Sequence, residues 1–169
     1  DLGIGMIHQH FKLVEVFDAM NNIVIGTKEK LPKRKILKEK TAMISKQFGL
    51  EIDLDKKIYN MSVSEKQTVE IMKVLYRGAK ILILDEPTAV LTPQETEKLF
   101  SILRKMMEQG SSVIIITPKL NEVMEISDRV AILRKGKLLE TVETAKTNDQ
   151  QLTELMVGRP VRLEITRPE

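Results

Sequence analysis

Two adjacent carboxylates, Asp85 and Glu86, directly follow four large aliphatic residues, Ile81 to Leu84. Such a run, bounded by polar residues, predicts a strand buried on both faces, as in a parallel sheet. Open α/β sheets bind ligands at the carboxyl ends of their strands. One carboxylate there can hold Mg²⁺, usually through water, and its neighbour can polarise an attacking water. The competing reading is an ordinary strand that ends in a polar turn. Upstream, Ser62-Val63-Ser64-Glu65 fits a capping box. The helix start it marks offers backbone N–H groups and a positive dipole end to a phosphate. By itself that segment is only a capped helix. His8 and His10 flank Gln9 and point to opposite faces if extended, with no third ligand near, so a metal role is not expected of them.

The elements that must position these residues follow from periodicity and stop signals. Ile4 to Ile7 is a short apolar stretch between glycines 3 and 5 and polar His8. Residues 32–48 read as a helix with Leu37, Ile44 and Phe48 on one face and Gly49 as its stop. Residues 50–60 are a polar connection. The helix opened by Ser62 presents Val69, Met72 and Tyr76, and ends before Gly78. Thr92-Pro93-Gln94-Glu95 is a second capping box with proline at the first helical position. Leu99, Leu103 and Met106 line that helix, and Val113 to Ile116 is another aliphatic strand. A short helix is expected over about 120–126. Residues 130–133 and 138–142 flank a Lys135-Gly136 turn, and Asn148 caps a last helix that stops at Gly158. Buried strands separated by helices of crossover length predict an α/β domain with a mainly parallel sheet.

Composition sets the outer bounds. The 169 residues hold no cysteine, which excludes disulfides, thiolate metal sites and cysteine nucleophiles. With 42% hydrophobic and 30% charged residues, the chain reads as globular. No apolar run approaches the roughly 18 residues of a membrane span. The net charge is only +3, with 27 basic against 24 acidic residues. Residues 28–40 hold seven basic and two acidic side chains, a local +5, so the remainder nets −2. A solvated helix face is the favoured reading of that segment. No aromatic residue interleaves the lysines, so base stacking is not suggested, and no nucleic-acid partner is expected.

In sequence order, the Met61-to-Gln67 stretch and Ile81-to-Thr88 together resemble the ATP-binding cassette family. The first stands where that family has its signature loop, and Ile81 to Glu86 stands where it has its Walker B strand. Gly5-Met6-Ile7-His8-Gln9-His10-Phe11 is similar to its Q-loop region. Asp128-Arg129-Val130 and the Lys135-Gly136-Lys137 turn are similar to its C-terminal strands. The resemblance runs from about residue 3 to 163. The phrases GIGMIHQHFKLV, LYRGAKILILDEPTAVLTPQE, KLNEVMEISDRV and LMVGRPV are similar to the first cassette of importers for simple sugars or nucleosides.

That resemblance implies a P-loop NTPase core of the RecA-like type with a parallel sheet. A helical signature subdomain would be inserted at about 12–78, the partial ATPase domain would cover 1–160, and 161–169 would be a linker. The implied roles are Glu86 as general base toward water, Asp85 and Gln9 at Mg²⁺, and Gln9 as reporter of the γ-phosphate. Ser62, Val63, Ser64 and Glu65 would face the nucleotide of an opposite cassette. ATP and Mg²⁺ are the implied cofactors. The implied partners are membrane permease subunits, a second cassette and, indirectly, a solute-binding protein, at the cytoplasmic face of the membrane.

Departures from the family pattern are as informative. The eight glycines contain no G-x-x-x-x-G-K-[ST] loop. The chain therefore resembles a cassette that lacks its first third, truncated before the P-loop strand and helix, and is expected to be inactive in isolation. Pro118 stands in the position of the switch histidine, where it has no proton to relay. Ser64 stands where the signature has glycine, and its side chain crowds a close backbone approach. These two changes favour impaired hydrolysis. The alternative is a degenerate, non-catalytic cassette that serves as a scaffold for a permease or partner cassette. A third possibility, a DNA-directed cassette ATPase using residues 28–40, is disfavoured by the importer-like phrases.

Overall fold

The computed structural model describes residues 2–27 and 33–158. They fall into two compact units, Asp1–Ile116 and Thr117–Glu169. In the first, strand β1 (Ile4–Ile7) is followed by α1 (Ala19–Val24), α2 (Arg34–Phe48) and α3 (Val63–Tyr76). Strand β2 (Ile81–Asp85), helix α4 (Pro93–Glu108) and strand β3 (Ser112–Ile116) complete it. The sheet order is β1-β2-β3, and both pairings are parallel.

The local sequence explains these boundaries. Ser62 accepts the Glu65 N–H at 3.2 Å and Glu65 accepts the Ser62 N–H at 2.7 Å, so the first capping box forms as expected. The Thr92–Glu95 box forms likewise, with Pro93 inside the first turn of α4. Gly49 takes the left-handed conformation (φ 73°) that closes α2.

Both crossovers advance across the sheet in the same direction, so right-handed connections lay their helices on one face. Leu82 and Leu84 point into that face and are 1% and 0% exposed. A Cβ on Gly5 would collide with the Val74 side chain, so β1 approaches α3 only because residue 5 is glycine. Met72, Phe100 and Leu103 complete this core with no exposed surface.

The expectation of strands buried on both faces is corrected here. Met6, Ile83 and Ile114 share a register row on the other face. Met6 is 40% exposed, and Ile114 and Ile116 are each 50% exposed. The aliphatic run in the sequence marks a two-sided strand, but the helices of this unit cover one side.

Helix α1 was not expected. It is six residues long, too short to show a period, and is fixed by Asp18, whose side chain accepts the Asn21 N–H at 2.8 Å. In the basic segment, Arg34 and Lys38 pair with Asp55 and Lys40 sits 3.9 Å from the centre of the Tyr76 ring. Residues 28–32 of that segment lie outside the described residues, as do the expected linker at 161–169 and the end of the LMVGRPV phrase.

The second unit holds α5 (Leu120–Ile126), an antiparallel hairpin of β4 (Arg129–Arg134) and β5 (Lys137–Glu143), and α6 (Asp149–Val157). Asn148 caps α6 by accepting the Gln151 N–H at 2.9 Å. Among the described residues no helix is long and apolar enough to cross a membrane.

Candidate functional site

Parallel pairing puts the carboxyl ends of β1 and β2 side by side, with Ile7 opposite Leu84. Gln9 lies two residues beyond β1 and Glu86 one beyond β2. The Gln9 Nε2 donates to Glu86 Oε2 at 3.3 Å across 77 residues of sequence. Asp85, the last residue of β2, is half-buried and pairs with Ile116 in the ladder. Three of the sequence-derived candidates, Gln9, Asp85 and Glu86, are thus gathered at one end of the sheet.

Glu86 sits in the left-handed region at φ 45°. Its N–H donates to the Ile116 carbonyl at 2.8 Å and its own carbonyl accepts the Ala89 N–H at 3.3 Å. Those bonds hold a backbone state that costs a non-glycine residue about 1–3 kcal/mol. Strain of this size, on a residue whose side chain reaches solvent at a strand end, is what a functional carboxylate can impose on a fold.

The signature-like residues occupy the start of α3. The Ser62 hydroxyl and amide are both engaged by Glu65. Val63 and Ser64 are the first two residues of α3, where a helix has no intrahelical acceptor for its amides. Lys56 donates to Glu65 at 2.6 Å. That bond, and then the Ser62 amide, hold the Glu65 carboxyl below its ordinary range. The Ser64 carbonyl accepts from Thr68 Oγ1 at 3.0 Å.

Sequence reasoning gave no role to Gln67. It is 4% exposed and donates its side-chain amide to the Pro87 carbonyl at 2.9 Å. The helix that begins at Ser62 is thereby tied to the turn that follows Glu86. The available signal was a polar residue one and two turns before Ile71 and Val74, on the face of α3 opposite Val69, Met72 and Tyr76.

Pro118 belongs to the second unit. It lies between Thr117, whose Oγ1 accepts the Lys119 N–H at 3.1 Å and donates to Glu122 Oε2 at 3.0 Å, and Lys119, which pairs with Glu122 at 3.1 Å. As a proline it presents no side-chain donor.

The Gln9 amide oxygen and the Asp85 carboxylate are hard oxygen ligands. They fit Mg²⁺, which completes its shell with waters and phosphate oxygens. Among the described residues no group of three or more His, Asp or Glu side chains is arranged to hold a metal ion. A phosphate-wrapping loop is absent from the sequence. The residues present therefore fit the metal and water side of a nucleotide site and not its phosphate grip.

A parallel sheet with paired carboxylates at a strand end, and a capped helix tied to that end, defines an α/β protein of the P-loop NTPase fold class. The chain belongs to the ABC transporter family, whose pattern matches residues 2–89. It is 47% identical over 164 residues to the nucleoside import ATP-binding protein NupA of Lactococcus lactis subsp. cremoris. It is 48% identical over 167 residues to the guanosine import ATP-binding protein NupO of Bacillus subtilis. Each match takes in 95% of this chain and 32% of the relative, so the chain spans about a third of their length. A solved metal-chelate type ABC transporter in an inward-facing conformation superposes with a TM-score of 0.78. That match covers 93% of this chain and 65% of the solved one at 19% identity, a likeness of fold alone. The family and fold inferred from the sequence motifs both hold.

Proposed function

We propose that this chain is part of the ATP-binding and ATP-hydrolysing subunit of an importer for nucleosides or simple sugars. The names of its relatives favour a nucleoside. The observation that carries the proposal is the Gln9–Glu86 hydrogen bond at the ends of adjacent parallel strands, with Asp85 beside it. In this reading Glu86 accepts a proton from the attacking water. Asp85 and Gln9 would hold Mg²⁺, which would offset phosphate charge. Gln9 reports the state of the site to a membrane permease.

Ser62 and the amides of Val63 and Ser64 face the nucleotide of a second cassette, because helix-start amides stabilise anionic oxygen. The partial domain spans 1–160, with the helical insertion at about 12–78 bearing the permease contact. Solute reaches the permease from a binding protein. The complex works at the cytoplasmic face of the membrane, to which this chain is peripheral.

The test uses the full-length gene product with its permease in vesicles. ATP hydrolysis stimulated by nucleoside-loaded binding protein, and lost in Glu86→Gln, is expected. Hydrolysis unchanged by that substitution would remove Glu86 from the reaction.

Pro118 and Ser64 favour a second reading, in which the cassette docks a permease or completes a partner's site without hydrolysing ATP itself. Pro118→His with Ser64→Gly in the full-length protein separates the two. A gain in turnover supports impaired catalysis, and no gain supports the scaffold.

A further inference from the structure

Residues 8–18, between β1 and α1, form no helix or strand, yet their backbone is held at both donors and acceptors. The Lys12 N–H donates to Glu70 Oε1 at 2.7 Å, and Lys73 Nζ donates to the Lys12 carbonyl at 3.1 Å. Glu70 and Lys73 are one turn apart on α3 and lie 3.5 Å from each other, with side chains only 5% and 14% exposed. Two residues on, the Val14 N–H donates to Asn22 Oδ1 at 2.7 Å and the Val14 carbonyl accepts from Asn22 Nδ2 at 3.1 Å. Asn22 is fully buried in α1. Farther along, the Glu15 and Phe17 carbonyls accept the amides of Tyr59 and Ile58 at 3.2 and 3.0 Å.

Two helices therefore each grip one residue of this connection by both its N–H and its C=O. A buried ion pair contributes no more stability than a well-packed apolar pair of the same size. A pair whose two ends are each bonded to the same peptide residue has a different use, which is to fix where that residue lies. Lys12 is three residues from Gln9. On the same stripe of α3, Gln67 holds Pro87, the residue after Glu86.

We infer that Glu70, Lys73 and Asn22 are positioning residues that clasp Lys12 and Val14, and so set the reach of Gln9 to Glu86. Helix α3 then holds both chain segments of that pair, one through Lys12 and the other through Pro87. Rotation of α3 moves the two together. Its consequence for hydrolysis rests on the reading under Proposed function, but the clasp does not.

The test is amide hydrogen exchange and side-chain NMR on the ¹⁵N-labelled 169-residue chain. Glu70→Ala is expected to speed exchange at Lys12 about tenfold or more, and Asn22→Ala to do the same at Val14. Glu70→Gln, which keeps an acceptor oxygen, restores much of the Lys12 protection. In the wild type, Glu86→Gln shifts the Gln9 side-chain amide resonance, and in the Glu70→Ala background that shift is lost. A general loss of stability would not erase it in the folded population. Should Glu70→Ala fail to fold, Lys73→Met serves instead: Lys12 stays protected while the Gln9 response weakens. Wild-type exchange at Lys12 with an undiminished Gln9 shift, in either variant, overturns the inference. None of these readouts needs nucleotide, so a failed ATPase assay removes the transport reading and leaves this one standing.

Discussion

Gln67 on α3 donates its side-chain amide to the carbonyl of Pro87 at 2.9 Å, inside the core of the first unit. Pro87 follows the strained Glu86, so this one bond joins the capped start of α3 to the carboxylate turn. Both partners are buried, and removing the donor leaves the Pro87 carbonyl without one. Gln67→Leu is therefore expected to lower stability by about 1–3 kcal/mol. A urea titration that finds the midpoint unchanged would show the bond to be dispensable.

Glu86 gives a prediction of opposite sign. Its left-handed backbone (φ 45°) costs about 1–3 kcal/mol, and glycine removes that cost. Glycine also loses roughly 0.5–1 kcal/mol through the freedom of the unfolded chain. Strain relief is the larger effect, so Glu86→Gly is expected to stabilise the chain by about 1 kcal/mol. Thermal unfolding checks this, and a lower midpoint would mean that the turn is not strained.

Much of this was legible in the sequence, for definite reasons. Ser62/Glu65 and Thr92/Glu95 name their helix starts because capping chemistry is local. Asp85 and Glu86 announce themselves because an aliphatic run forces the chain to surface where they stand. Helix α1 stayed hidden because six residues held by Asp18 leave no periodic trace. Gln67, Glu70 and Asn22 were equally hidden, since a buried polar residue is recognisable only once its partner 20, 58 or 8 residues away is known. The open second face of the sheet could not be foreseen, because four aliphatics look alike whether one side or both are covered.

Glu65 carries the pH dependence. The hydrogen bond from Lys56, and next that from the Ser62 amide, hold its carboxyl below the ordinary value of 4.5. A depressed folded value means that the unfolded chain takes up the proton more readily. The contribution is thus present above about pH 4.5 and is lost as pH falls through the lower folded value. The side chain is 41% exposed, so solvent screening keeps the effect small. Wild type should exceed Glu65→Gln in stability at about pH 6 and converge with it near pH 3. A constant gap across that range would assign the difference to the cap alone.

The second face of the sheet predicts self-association. Ile4, Met6, Ile114 and Ile116 are 40–52% exposed on it, and exposed contiguous apolar surface promotes contact between copies. Light scattering on the 169-residue chain is expected to show mass rising with concentration, and Ile114→Lys to suppress the rise. A monodisperse monomer at all concentrations would contradict this.

The central claim is that this chain supplies the metal and water side of an ATP site but not its phosphate grip. The most direct measurement is calorimetric titration of Mg-ATP into two proteins: the 169-residue chain, and the same chain preceded by the glycine-rich loop segment of a nucleoside-import relative. Weak or undetectable binding to the first and clear binding to the second is the predicted result, with Asp85→Asn weakening the second. Equal binding by both, or none by either, would contradict it.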